Sequence, residues 1–269
     1  MRRVYRWLPP LVLDAVRRWR GRGVRWSSAP QDWASACRLS SGYADADIAA
    51  RVAAATRAVV SGQAAYERDS VLFTERDFRY PVVAALMHVA ALNRGCLEVV
   101  DFGGALGSAY WQCRVYLDQL RSVRWQVVEQ PSFVEAGREF TADRLSFATD
   151  VAALSSPVVP PLVLAGGVLQ CIENPYAALD KLAGLRASHM LIDRLPLFDA
   201  AEDHLCIQRV PQSIYAASYP TWIFSRSRML AHLSPQWRVV SEFSCDEGVC
   251  RTDEGLSFEF RGLYLEACR

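Results

Sequence analysis

From residue 96 onward, short apolar runs alternate with segments whose apolar residues recur at helix spacing. The runs lie at 97–101, 124–129, 145–148, 162–165 and 189–193, separated by helix-patterned segments at 108–120, 131–141, 150–154 and 175–185. Strands spaced in this way need crossover connections, which gives a mainly parallel sheet covered by helices on both faces. The run at 162–165 is wholly apolar, as a strand buried on both faces must be. The alternation pauses over 194–224, where prolines and aromatics follow no period, and an insertion over one end of the sheet is expected there. A helix at 225–233 and two strands at 237–243 and 258–266 then close the sheet with an antiparallel pair.

Residues 1–95 have a different texture. Apolar residues recur at helix spacing without strand-like alternation, so a helical arm and cap is expected to precede a main domain over 96–269. One helix should end at Gly62, and another should run from Pro81 to about Asn93, with proline in its first turn and Gly95 just beyond it. The first 26 residues hold eight arginines and one acid, Asp14, with Trp7, Trp19 and Trp26 interleaved. Such a segment could rest on an anionic membrane surface or pack on its own domain. No apolar run is long enough to span a bilayer, and no cleavage site follows the short apolar stretch at 7–13, so a cytoplasmic protein, membrane-peripheral at most, is expected.

Thirty basic against 29 acidic residues give a net charge of +1, so no global field draws nucleic acid or another polyanion. Lys181 is the only lysine and alanine is abundant, the coding bias expected of a GC-rich bacterial genome. Eight cysteines occur without a C-x-x-C pair. Cys245 and Cys250 have no neighbouring histidine or cysteine to complete a metal set, so reduced thiols and no metal are expected.

The first strand of the alternating region ends in Glu98-Val99-Val100-Asp101-Phe102-Gly103-Gly104-Ala105-Leu106-Gly107. Glycines behind a strand let the backbone bend tightly and approach a ligand, and the carboxyl edge of an open α/β sheet is where ligands bind. The pattern is neither G-x-G-x-x-G nor a P-loop, which disfavours an NAD-dependent oxidoreductase. Glu129 ends the second strand, where a carboxylate can accept from both hydroxyls of a ribose or simply be solvated. Asp150 follows the third strand and could equally cap the short helix after it. Gly166 and Gly167 follow the fourth.

Asp101, Gly103 and Gly107 resemble motif I of the class I S-adenosylmethionine-dependent methyltransferases, acid-x-Gly-x-Gly-x-Gly, with Ala105 at the middle glycine and Gly104 just before it. That resemblance implies a Rossmann-like, seven-stranded, mostly parallel sheet whose final strand is antiparallel. It also implies S-adenosylmethionine as cofactor, with Glu129 and Gln130 at its ribose, Asp150 at the adenine amino group, and Gly166-Gly167 leaving room for the methionine portion. Longer stretches, among them Gly62 to Phe73, Asp101 to Gln112, Val168 to Pro175 and Ala217 to Trp222, resemble a family of bacterial methyltransferases often associated with genes for surface-polysaccharide synthesis. The acceptor this implies is an oxygen of a saccharide or a related small molecule. A methyltransferase-fold protein acting as a non-catalytic scaffold in glycan assembly is the alternative.

Candidates for the chemistry are fewer. His204 lies in the expected insertion and is the best-placed histidine for a general base. Asp193 and Arg194, at the end of the fifth strand, could grip a polar substrate or pair with each other. Tyr215, Tyr219 and Trp222 could wall a sugar ring or form a small satellite core. Tyr66, Glu67, Arg68 and Asp69 could cap the cofactor pocket, with Arg68 holding the methionine carboxylate by its planar fork, or the run could be a charged helix end.

Overall fold

A computed structural model describes residues 23–29, 32–42, 46–154, 160–211 and 217–268. The basic segment ahead of residue 23, with its expected membrane contact, and Tyr215 lie outside the described residues. In the N-terminal region, helices α1 (Trp33–Arg38), α2 (Ala46–Val60) and α3 (Tyr80–Leu92) form, but strands break the expected all-helical pattern. β1 (Arg25–Ser28) pairs with a strand near residue 206. β2 (Tyr66–Arg68) and β3 (Val71–Phe73) form a separate hairpin, with the Tyr66 and Phe73 rings stacked 4.5 Å apart. Its two turn residues, Asp69 and Ser70, both take positive φ (51° and 63°), the turn geometry that matches the strands' own twist.

The alternating region forms β4 (Cys96–Phe102), α4 (Ser108–Leu117), β5 (Ser122–Val128), α5 (Pro131–Gly137), β6 (Leu145–Ala148), β7 (Leu162–Gly166), α6 (Pro175–Ala183) and β8 (His189–Phe198). The chain then adds β9 (His204–Val210), β10 (Ala217–Ser225), α7 (Arg226–Leu233), β11 (Trp237–Arg251) and β12 (Ser257–Ala267). Strands β6-β5-β4-β7-β8-β12-β11 lie side by side in that order, with β12 antiparallel to β8. Counted along the chain from β4 without β9 and β10, this is the order 3-2-1-4-5-7-6 of the class I methyltransferase fold, and the chain has that fold.

Alternation along the central strands fills two cores. Leu97, Val99, Leu162 and Leu164 face α3 and α4, and Val100, Val163 and Ala165 face the other way toward α6 and α7. β7 buries four of its five residues, which accounts for its unbroken apolar run. Among the described residues no helix is long and apolar enough to cross a membrane.

The segment expected as an aperiodic insertion is instead built into the sheet. β8 runs on past Asp193, and β9 and β10 form an antiparallel pair that extends the sheet to β1. Most residues of β10 are buried, so no polar alternation marks it in the sequence. Pro220 is tolerated because β10 pairs with β9 on one edge and meets β8 only at Phe224 and Ser225. Between the end of β7 and the start of that β10–β8 contact, one edge of β8 is left open.

Candidate active site

A cleft of about 800 Å³ opens at the carboxyl ends of β4, β5, β7 and β8, roofed by the β2–β3 hairpin and by α1 and α2. Its floor is the turn after β4. Gly103 has φ +70°, and a Cβ there would overlap Val168; a Cβ on Gly104 would overlap the Asp101 carboxylate. Ala105 also takes a positive φ, 51°, so the path expected of a glycine at that motif position is kept although the residue is alanine. Gly107 (φ 83°) starts α4 and packs toward Leu145 and Trp111 rather than lining the cleft.

Of the strand-end acids, Glu129 lies on the cleft wall. Its Oε1 accepts from the Ala105 N–H at 3.3 Å and its Oε2 from the Gln130 N–H at 2.7 Å. Burial holds its carboxyl above the ordinary range, against those two hydrogen bonds. Asp101 lies beneath the turn, 1 % exposed, and accepts from the Trp125 indole N–H at 2.9 Å. Burial pushes its pKa up to about 7, with the Trp125 hydrogen bond opposing and Glu129 adding to the rise. Asp150 does not line the cleft. It caps the following turn through Ala152 N–H at 2.7 Å and pairs with Lys181 at 2.6 Å, and Thr149 is the residue that lines the cleft there.

On the opposite side, Gly166 and Gly167 line the cleft, and a Cβ on Gly166 would meet nothing within 4 Å. Gln170, 7 % exposed, also lines it, and its side-chain oxygen has no hydrogen-bond partner among the described residues. At the top of β8 the register slips. Leu195 pairs with Arg261 and Ile192 with Leu263, so Asp193 and Arg194 stand opposite the single residue Gly262. This bulge, with Arg194 at φ 57°, brings two successive side chains to the cleft where a regular strand would send them to opposite faces.

Those side chains anchor a charged network. Asp193 pairs with Arg79 and not with Arg194. Arg194 reaches the hairpin through Asp69 at 3.0 Å and β11 through Glu247 at 2.7 Å. Burial disfavours the Arg194 charge, but the two carboxylates outweigh it and hold the guanidinium above its ordinary value. Arg79, buried beside Arg194 and Arg68, is pushed down to about 10. Arg68 lines the cleft with its guanidinium over the Tyr66 ring and only a long contact, 3.6 Å, to Asp246.

His204 does not overhang the cleft. It begins β9 and lies 3.1 Å from the Ser28 hydroxyl of β1, because the segment expected as a free insertion is held in the sheet. The other end of β9 reaches the cleft instead. Gln208 donates to the Tyr219 hydroxyl at 2.7 Å and accepts from the Trp26 indole at 3.2 Å, and Trp33, stacked on Trp222 at 6.0 Å, completes an aromatic wall. Trp26, Trp33, Arg79, Gln170 and Gln208 are among the cleft residues the sequence did not single out for this role. Trp26, Trp33, Arg79 and Gln208 reach the cleft through contacts distant along the chain, and Gln170 follows the glycine turn after β7.

No protein-family model matches the chain, and no match to a curated protein was found. Solved structures similar to it include the 1,6-didemethyltoxoflavin N1-methyltransferase of Burkholderia thailandensis, with 1,6-didemethyltoxoflavin and S-adenosylhomocysteine bound. That structure is 14% identical, covers 85% of this chain and 92% of its own, and has a TM-score of 0.45. The N-terminal domain of EvdMO1, determined in the presence of S-adenosylhomocysteine and D-fucose, is 14% identical over 80% of this chain and 97% of its own, with a TM-score of 0.46. CalS10, an amino pentose methyltransferase from Micromonospora echinaspora with S-adenosylmethionine bound, is 9% identical over 77% and 95%, with a TM-score of 0.42.

Proposed function

We propose that the chain is an S-adenosylmethionine-dependent methyltransferase that methylates an oxygen of a saccharide or related small acceptor. The observation that carries this reading is the Glu129 carboxylate, held on the cleft wall by the N–H of Ala105 in the same glycine turn that forms the floor. A carboxylate so placed has lone pairs left for the two hydroxyls of a ribose. The remaining residues fit such a cofactor. Gly103 and Gly104 let the backbone approach it, the open space at Gly166 takes its methionine portion, and the Arg68 fork takes its carboxylate. Gln130 lies beside Glu129 for the sugar or base, and Asp150 acts at one remove, fixing the turn that carries Thr149.

When bound, S-adenosylmethionine supplies an electrophilic methyl group on a sulfonium sulfur. The chain's part is to align the acceptor oxygen and exclude water. The wall of Trp33, Tyr219 and Gln208 offers a ring acceptor flat apolar contact together with hydrogen-bonding groups. Asp193, tied to Arg79, shapes the site.

Incubation with methyl-labelled cofactor and a panel of monosaccharides and nucleotide-linked sugars tests the acceptor. The reading expects enzyme-dependent label in at least one sugar. Cofactor binding with no transfer to any hydroxylated ring would favour a scaffold role.

A further inference from the structure

The cleft holds six carboxylates, and five of them are committed. Asp69 and Glu247 are paired with Arg194, and Asp193 with Arg79. Asp101 lies under the turn on Trp125, and Glu129 is the carboxylate that the methyltransferase reading gives to the ribose. Glu67 is different. It is 5 % exposed, lines the cleft, and has no ion pair among the described residues. Its Oε1 accepts from the hydroxyl of Ser108, the first residue of α4, and its Oε2 accepts from the Ser70 N–H at 3.1 Å.

Its position is as specific as its freedom. Ser108 ties Glu67 to the helix that follows the glycine turn, and two residues on, Asp69 ties the hairpin to Arg194, whose guanidinium lies against Gly167. The hairpin therefore spans the cleft from one glycine turn to the other, and Glu67 lies on its inner side. Resting on the methyltransferase reading, we propose that Glu67 is the general base that removes the proton from the acceptor hydroxyl.

Each carboxylate oxygen has a second lone-pair site, so both present hydrogen bonds survive when the acceptor hydroxyl adds one more. The acceptor O–H bond breaks and its proton goes to Glu67. The oxygen pair so released forms the C–O bond to the methyl carbon, and the C–S pair stays on sulfur. Burial holds the Glu67 carboxyl above its ordinary range, with Asp69 adding to the rise and the Ser108 hydroxyl, the Ser70 N–H and Arg194 opposing it. That is the direction a base working near neutral pH requires.

Calorimetry in buffers of differing ionisation enthalpy tests this without a known acceptor. A sulfonium beside Glu67 favours its ionised form, so S-adenosylmethionine should release more protons on binding than uncharged S-adenosylhomocysteine does. Glu67→Gln should bind both with affinities within about 3-fold of wild type and lose the difference in proton release. Ser108→Ala removes a donor to the carboxylate, so it should move the proton release to higher pH. With an acceptor in hand, Glu67→Gln should lower kcat by about 100-fold or more, leave KM for the cofactor unchanged, and abolish the acidic limb of the kcat profile.

Proton release that persists in Glu67→Gln overturns the proposal. So does a loss of 10-fold or more in affinity for both ligands, which would make Glu67 an anchor for the cofactor. A Glu67→Gln chain that does not fold leaves Ser108→Ala to decide: no shift in its proton release overturns the proposal. Wild-type protein that binds neither ligand removes the methyl-donor reading itself, a result distinct from all of these.

Discussion

Asp101 and Glu129 stand one strand apart and carry the same functional group, yet their surroundings give them different work. Trp125 and the tight turn at Gly104 enclose Asp101, and its pKa near 7 lies well above the 3.8 of an exposed aspartate. Between those two values the folded protein keeps a proton that the unfolded chain has released. The stability tied to Asp101 is therefore complete below about pH 4 and is lost as pH rises through about 7, on the order of a few kcal/mol in all. Asp101→Asn keeps an oxygen for the Trp125 indole and removes the titration. Between pH 5 and pH 8 its calorimetric melting temperature should fall less than that of the wild type, and equal slopes would mean that Asp101 does not titrate in this range. A glycine-rich turn after a strand-end acid is legible in the sequence. Which of the acids the turn buries and which it leaves on the wall is not, because that depends on Trp125 reaching across from the neighbouring strand.

At the scale of elements, the strands from β4 to β8 were readable because each has its own apolar run and its own punctuation. β7 is the clearest case, with both faces buried and glycines just behind it. β9 and β10 were not readable. Burial on both faces removes their alternation, and Pro220 argues against a strand unless one knows that the neighbouring edge is open. The bulge at Asp193 and Arg194 has no local signature either, since its other half is Gly262 on β12. The hairpin β2–β3 depends on this bulge, because Arg194 joins Asp69 on the hairpin to Glu247 on β11. Arg194→Ala removes the cation hydrogen-bonded to both carboxylates and leaves the more distant Arg68 and Arg79, and the half-exposed Asp69 suffers less than the more enclosed Glu247. Hydrogen exchange should accelerate at the amides of residues 66–73 while those of β4 and β7 stay protected. Unchanged exchange in the hairpin would show that its contacts with α2 and α4 suffice to hold it.

Taken as a whole, the molecule is a seven-strand methyltransferase sheet with three strands added to the open side of β8. That addition carries Gln208 and Tyr219 over the carboxyl edge, packs Trp33 of α1 against its Trp222, and holds His204 away from the cleft beside Ser28. On the proposed reading, the cofactor would lie mostly against the part of the sequence with strong periodicity, and the acceptor against the part without it. For this reason the methyl donor is easier to name from sequence than its acceptor. Titration calorimetry with S-adenosylhomocysteine, NAD and the Glu129→Ala variant checks the proposed methyl donor. One S-adenosylhomocysteine should bind per chain and NAD should not bind, and the affinity should be about 10- to 100-fold weaker in Glu129→Ala, the worth of hydrogen bonds to a charged group. Binding of NAD in place of S-adenosylhomocysteine, or full affinity for S-adenosylhomocysteine in Glu129→Ala, would contradict it.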